Sequence, residues 1–360
     1  MKAGILTFHH SLNCGAVLQA YALQTCLRQL GFDAEVVNYG RIGWPRRFPI
    51  SFRSVRSFVG SLLKDVMTVW LEGRRRRAYS RFLHEWMSLG PSVTRQDLLN
   101  RNYTHLISGS DQVWHPVINE GDSLYYLVGL PKTVRRISYA PSFGVDRLDD
   151  DLERRVSGWL KEFDFLSVRE PQAANYINRL CGRNAEVVCD PTMLLPAEHY
   201  REIEKSPSGM PDRYIAVYTI CGHPWAEAVA LKLGMQARLP VIHLVGGQMA
   251  RWYLPGKVRR VTAWGPSEFL WFIRHAEHVV TNSFHGTVFS LHFHRPFTVA
   301  LNGKPSDERM TNLLSGTRLE GRAVHKPVVG DWTDPDWSCV AGVCARKRLA
   351  GIQYLTKALA

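Results

Sequence analysis

Short apolar runs ending in small polar residues alternate with stretches of helical periodicity along the chain. AGILTF (3–8) is the first run. Apolar residues at Val17, Leu18, Ala20, Tyr21, Leu23 and Leu27 then predict a helix over about 16–30, which Gly31 ends. AEVVNY (34–39) is the second strand, so this opening reads as a parallel unit with a right-handed crossover. HLISGS (105–110), RISYAPS (136–142), FLSVRE (165–170) and AEVVCDP (185–191) continue the series, with helices expected over 149–162 and 171–180. The later strands are YIAVYTI (214–220), PVIHLVG (240–246), HVVTNS (278–283) and PFTVAL (296–301). Before HVVTNS, Gly265-Pro266-Ser267-Glu268 predicts a helix start with Ser267 as N-cap. Phe269, Leu270, Phe272, Ile273 and Ala276 form that helix's apolar face. GTVFSLHFH (286–294) has helical periodicity again.

The expected fold class is α/β, with two facing Rossmann-like doubly wound domains and a cleft at the carboxyl ends of the strands. The spans are 1–195 and 196–360, joined by a linker over about 195–213, with a basic helical insertion at about 41–87 in the first domain. At 360 residues, 45% hydrophobic and 11% aromatic, the composition is that of a soluble globular protein. No run approaches the ~18 consecutive apolar residues of a membrane span. The N-terminal apolar run is short and interrupted by His9, His10 and Asn13, so it reads as a strand rather than a signal peptide, and a cytoplasmic location is expected. Seven scattered cysteines argue against a disulfide framework, and the Cys339/Cys344 pair lacks a second ligand pair, so no metal is expected.

The net charge of +13 is concentrated. Residues 41–87 hold 11 basic and 3 acidic residues, including Arg74 to Arg77, among apolar and aromatic positions at roughly helical spacing. Such a segment suits a peripheral contact with an anionic membrane surface or an anionic ligand; a solvated helical face is the plainer alternative. No nucleic-acid partner is expected, because no binding motif is present and the charge does not spread over both halves.

Candidate chemistry gathers at strand ends. TNSFHG (281–286) lies between a strand and a helix, where unpaired N–H groups attract phosphate or carboxylate. His285 there could exchange a proton near neutral pH, Asn282 and Ser283 add oriented polar groups, and Gly286 admits close approach; a capping turn with a structural histidine is the alternative. Asn13 and Gly15 open the first helix, where backbone can approach an anion or a sugar. Ser110, Asp111, Gln112 and Trp114 follow the HLISGS strand, a set suited to carbohydrate through polar groups and an aromatic face, and Ser142 ends the next strand. Arg169 could clamp a carboxylate or phosphate, or pair with Glu170. No GxGxxG or P-loop motif occurs.

NCGAVLQAYALQ (13–24), LISGSDQVWHP (106–116), ISYAPSFG (137–144), LSVRE (166–170), CDPTMLL (189–195) and TNSFHGTVFSLHF (281–293) resemble the polysaccharide pyruvyl transferase family, in the family's order. The resemblance implies a GT-B-like fold, phosphoenolpyruvate as donor, no cofactor, and a saccharide acceptor, free or lipid-linked, in cell-surface polymer synthesis at the inner membrane face. It also implies His285 as the catalytic histidine and Arg169 as a donor-binding arginine. Some relatives carry a second arginine where this chain has Ser283, and asparagine where it has His115. In this reading Asn282, Ser283 and Gly286 join the donor side, and Asn13, Gly15, Ser110, Asp111, Gln112, Trp114 and Ser142 the acceptor side. The alternatives are a GT-B glycosyltransferase using a nucleotide sugar and a non-catalytic carbohydrate- or membrane-binding relative.

Overall fold

The computed structural model describes residues 1–40, 72–246, 258–303, 307–327 and 335–360. In the first half, β1 (Lys2–Leu6), β2 (Asp33–Val36), β3 (His105–Ser108) and β4 (Arg135–Ser138) form a parallel sheet in the order β2-β1-β3-β4. Ala3 stands opposite Ala34 on one side and His105 on the other. α1 (Cys14–Gln29) links β1 to β2. A helix, α2, covers 72–86; the remainder of the expected insertion lies outside the described residues. α3 (Arg95–Leu99) precedes β3 and α4 (Asp150–Lys161) follows β4. A short pair, β5 (Ser167–Val168) and β6 (Glu186–Val187), flanks α5 (Pro171–Cys181) and meets β4 through an Ile137–Phe165 bridge.

After α6 (Ala197–Glu202), the second half builds a six-stranded sheet in the order β12-β11-β10-β7-β8-β9. Its strands are β7 (Ile215–Tyr218), β8 (Val241–Leu244), β9 (Val258–Val261), β10 (His278–Thr281), β11 (Phe297–Ala300) and β12 (Ala323–Val324), paired in parallel. α7 (Ala226–Ala237), α8 (Pro266–Arg274), α9 (Phe284–His292), α10 (Glu308–Leu314) and α11 (Trp337–Leu359) complete this half. Every residue of β7, β8, β10 and β11 is buried, which is why these strands read as continuous apolar runs rather than alternating ones. Winding reverses between β1 and β3 in one sheet and between β7 and β10 in the other, which places a crevice at the carboxyl ends of those strands.

Two helix starts differ from expectation. Ser267 is not the cap of α8: Gly265 is, and the Glu268 carboxylate accepts from its N–H at 2.8 Å. α9 begins at Phe284 because Ser283 is extended and its Oγ accepts the Gly286 N–H at 3.3 Å. This puts His285 inside the first helical turn.

α11 crosses back to the first half. The Tyr354 hydroxyl donates to the Ser138 carbonyl at 2.8 Å, and Arg135 donates to the Ala358 carbonyl at 3.2 Å. One buried cluster accordingly joins Ile5, Val17 and Leu23 to Tyr218, Phe289 and Tyr354. Among the described residues no helix is long and apolar enough to cross a membrane.

Candidate functional site

The first turns of α1 and α9 meet at one residue pair. A Cβ on Gly15 would lie 2.5 Å from His285 Cγ and closer still to Nδ1, so the α1 backbone is the wall against which the imidazole rests. Phe284 packs edge-on to the ring at a centroid distance of 5.2 Å. Gly286 is needed too, because a Cβ there would come within 3.1 Å of Thr281 Cβ.

The opposite ring nitrogen faces a carboxylate. His285 Nε2 lies 3.6 Å from Asp190 Oδ1, charge-pair distance but too long for a hydrogen bond. Asp190 is fixed on every side: Oδ1 accepts from the Thr192 N–H at 3.0 Å and hydroxyl at 2.7 Å. Its Oδ2 accepts from Arg169 Nη1 at 3.0 Å and Ser110 Oγ at 3.2 Å. Burial by itself would raise the Asp190 pKa; His285, Arg169 and Thr192 outweigh it and hold the carboxyl well below the usual range. Asp190 is therefore an anion placed to stabilise an imidazolium at His285.

Arg169 is buried, with Nε donating to Glu170 at 2.8 Å and its guanidinium 4.8 Å from the Phe284 ring centroid. Burial alone would lower its pKa, but Glu170, Asp190 and Asp111 raise it, so it stays cationic. Its pairing with Glu170 realises one alternative read from the sequence. Among the described residues Nη2 has no acceptor. Arg169, Asp190 and Phe284 line a cavity of about 330 Å³ together with Arg309, Lys347 and Met193. Its three cations stand against two carboxylates, Asp190 and Glu170, and this net positive balance suits an anionic ligand.

The other expected contacts divide. Ser110 is drawn into the Asp190 network, and Asp111, at φ 71°, acts electrostatically on Arg169 and Arg309. Ser142 lines a narrow cavity of about 70 Å³ beside Glu170 and Arg309; its Oγ accepts the Gly144 N–H at 3.2 Å. Gln112 packs where a Cβ on Gly144 would sit. Asn13 caps α1 and lines a second cavity, of about 190 Å³. Asn282 bonds Ile220 N–H at 2.7 Å and the Ile220 and Gly222 carbonyls, so it fastens the β7 loop to β10.

Trp114 is a correction. Its ring is fully buried, stacked on Tyr126 at 5.2 Å, and its Nε1 donates to the Tyr125 carbonyl at 3.1 Å. It belongs to the first half's core, and no face is available to a sugar. Asp190, Arg309 and Lys347 escaped the sequence reading as functional groups; for Asp190 the available signal was an acid closing the apolar run AEVVCDP. Among the described residues no three His, Cys, Asp or Glu side chains gather so as to hold a metal ion.

A family model described as polysaccharide pyruvyl transferase matches residues 13–303. A search of curated proteins finds no match. Among solved structures, UDP-GlcNAc 2-epimerase from Neisseria meningitidis, bound to UDP-GlcNAc, is similar with a TM-score of 0.51 and 9% identity over 100% of this chain and 99% of that one. A putative UDP-N-acetylglucosamine 2-epimerase from Listeria monocytogenes gives 0.50 and 9% over 98% of this chain and 90% of that one. The glycosyltransferase SnogD from Streptomyces nogalater gives 0.45 and 13% over 100% and 98%. At such identities the likeness is one of fold: two α/β domains of GT-B type.

Proposed function

The chain belongs to the polysaccharide pyruvyl transferase family, and on that premise we propose that it moves the enolpyruvyl group of phosphoenolpyruvate onto two hydroxyls of a saccharide, forming a pyruvate ketal in cell-surface polysaccharide synthesis. The observation that carries this reading is the His285–Asp190 pair set beside a cavity that three cations line. In the proposed course, a proton is added to C3 of the enol, C2 gains oxocarbenium character, and the first sugar hydroxyl forms a C–O bond there as it loses its proton. The C2–O bond to phosphate then breaks, and the second hydroxyl closes the ring. One hydroxyl proton balances the proton on C3 and the other leaves with phosphate.

His285 moves these protons, contributing about 10²–10⁴-fold as general acid–base groups do. Asp190, locked by Arg169, Ser110 and Thr192, stabilises the imidazolium and sets the ring orientation. Arg169, Arg309 and Lys347 hold the carboxylate and phosphate and stabilise charge moving onto the leaving group. With these cations in place, Ser283 has no need to be an arginine; its structural task is to cap α9. The saccharide acceptor, free or lipid-linked, approaches His285 from the α1 side, where Asn13 and Gly15 stand. The enzyme works in the cytoplasm at the inner membrane face.

Incubating the protein with phosphoenolpyruvate and candidate glycans while following phosphate release tests the reading. Release is expected, with a loss of at least ~10²-fold in His285→Ala. Unaltered turnover in that variant removes His285 from the chemistry. Protection against thermal unfolding by a nucleoside diphosphate, but not by phosphoenolpyruvate, transfers the assignment to a nucleotide-sugar enzyme.

A further inference from the structure

Arg75 is a second arginine at the cleft, half-buried, and among the described residues it has no carboxylate partner. It reaches from α2 to the cavity of about 190 Å³ at the carboxyl ends of β7 and β8, lined also by Asn13, Tyr218, Thr219, Gly246 and Trp264. Its guanidinium stacks 4.1 Å from the Trp264 ring centroid. Nη2 donates to the Leu12 carbonyl at 2.7 Å and to the Tyr79 hydroxyl at 3.5 Å, and among the described residues Nε has no acceptor. Neither of those acceptors is charged. The acids nearest to it are neutral: burial pushes the Cys14 thiol up to about 12, and burial also raises the Tyr79 and Tyr218 phenols.

A partly desolvated cation without a counter-charge is costly, and a ligand anion would offset that cost. Arg169 shows the contrast, since two carboxylates bind it on the far side of His285. A second feature gives the cavity a hydroxyl, that of Thr219, held in place from behind. Glu227 Oε1 lies 2.5 Å from His243 Nδ1, and His243 Nε2 lies 3.1 Å from Thr219 Oγ1. This chain of contacts fixes the Thr219 hydroxyl at the cavity wall.

We propose that this cavity takes the phosphoryl group of a phosphorylated saccharide, with Arg75 as its cation and the Thr219 hydroxyl as a polar contact. The ligand is the acceptor of the pyruvyl-transfer reading, on which this inference rests, and His285 then lies between donor and acceptor cavities. A free sugar phosphate and a lipid-linked glycosyl phosphate share the chemistry.

Calorimetric titrations with glucose 1-phosphate, a short-chain alkyl glucosyl phosphate, glucose and phosphoenolpyruvate test it on the wild type, Arg75→Met and Arg75→Lys. Arg75→Met is expected to weaken both phosphorylated sugars at least tenfold while the phosphoenolpyruvate Kd stays within twofold; Arg75→Lys retains part of the affinity. The tighter of the two sugars identifies the source. Glucose binding as tightly as glucose 1-phosphate overturns the proposal, as does unchanged affinity in Arg75→Met or an equal loss for phosphoenolpyruvate. Failure of phosphoenolpyruvate to bind the wild type strikes the pyruvyl-transfer reading alone. If Arg75→Met does not fold, Gly246→Ser, whose Cβ would stand 2.9 Å from Arg75 Nη1, obstructs the cavity with the charge intact and must give the same selective loss.

Discussion

Gly15→Ala separates catalytic geometry from stability. On helix propensity alone, alanine favours α1 by up to ~1 kcal/mol. The added methyl, however, would be 2.5 Å from His285 Cγ and closer still to Nδ1, so restoring ordinary contact moves the ring or the helix by more than ~1 Å. Overpacking of this kind costs about 1–3 kcal/mol, which the propensity gain partly offsets, so the fold survives. Catalysis does not share that tolerance: a shift of about 1 Å in a proton-transfer group costs on the order of 10²-fold. Phosphate release from phosphoenolpyruvate with an accepting glycan should therefore fall about 100-fold in Gly15→Ala while its Tm moves by only a few degrees. Long-range ¹⁵N spectra of the imidazole should show an altered His285 environment. Turnover within twofold of the wild type, with an unchanged His285 spectrum, would refute the claim that α1 positions the ring.

The remaining expectations are more compact. Asp190→Asn removes the anion facing His285 and leaves Arg169 with Glu170 alone, so kcat should drop at least tenfold and the protein lose about 3–5 kcal/mol; denaturant titration with unchanged stability would contradict the buried network. Trp114→Ala should cost about 3–5 kcal/mol through the stacked core while acceptor KM is unmoved, and a selective rise in KM would restore Trp114 to the binding site. Burial first, with His10, lowers His9 from 6.5 to about 4, and burial with Arg322 lowers His278 to about 3. Their contribution is complete above pH 6.5, where the unfolded imidazoles are also neutral, and is lost as pH falls through the folded values. Tm should thus decline from pH 6.5 toward 4, less steeply in His278→Gln; a Tm flat over that range would contradict it.

Much of the architecture was legible because parallel strands covered on both faces are mostly apolar, and the helices between them carry periodic apolar stripes. Boundaries slipped where side chains decide them: Glu268 rather than Ser267 secures the start of α8, and Ser283 starts α9 two residues early. Strand-end residues such as His285, Gly15, Arg169 and Ser110 could be named because polar groups there stand out against apolar runs. Asp190 could not be assigned its place beside His285, since the 94 residues between them conceal the pairing. Trp114 misled because an indole in a polar loop looks like a sugar platform until its stacking on Tyr126 is seen. Arg75, one of four consecutive arginines, is indistinguishable in sequence from its neighbours, and only the fold shows that it turns inward.

The return of α11 to the first sheet also governs how the protein can be made and cut. Tyr354 bonds Ser138 across 216 positions of chain, so the amino-terminal sheet cannot complete its packing during synthesis until residues near 354 have left the ribosome. A fragment ended at residue 195 would expose the surface that Tyr354 and Gly351 cover, which makes it a poor candidate for expression alone. Domain dissection here calls for co-expression of the closing helix, or for a circular permutation that brings 337–359 next to the half it covers.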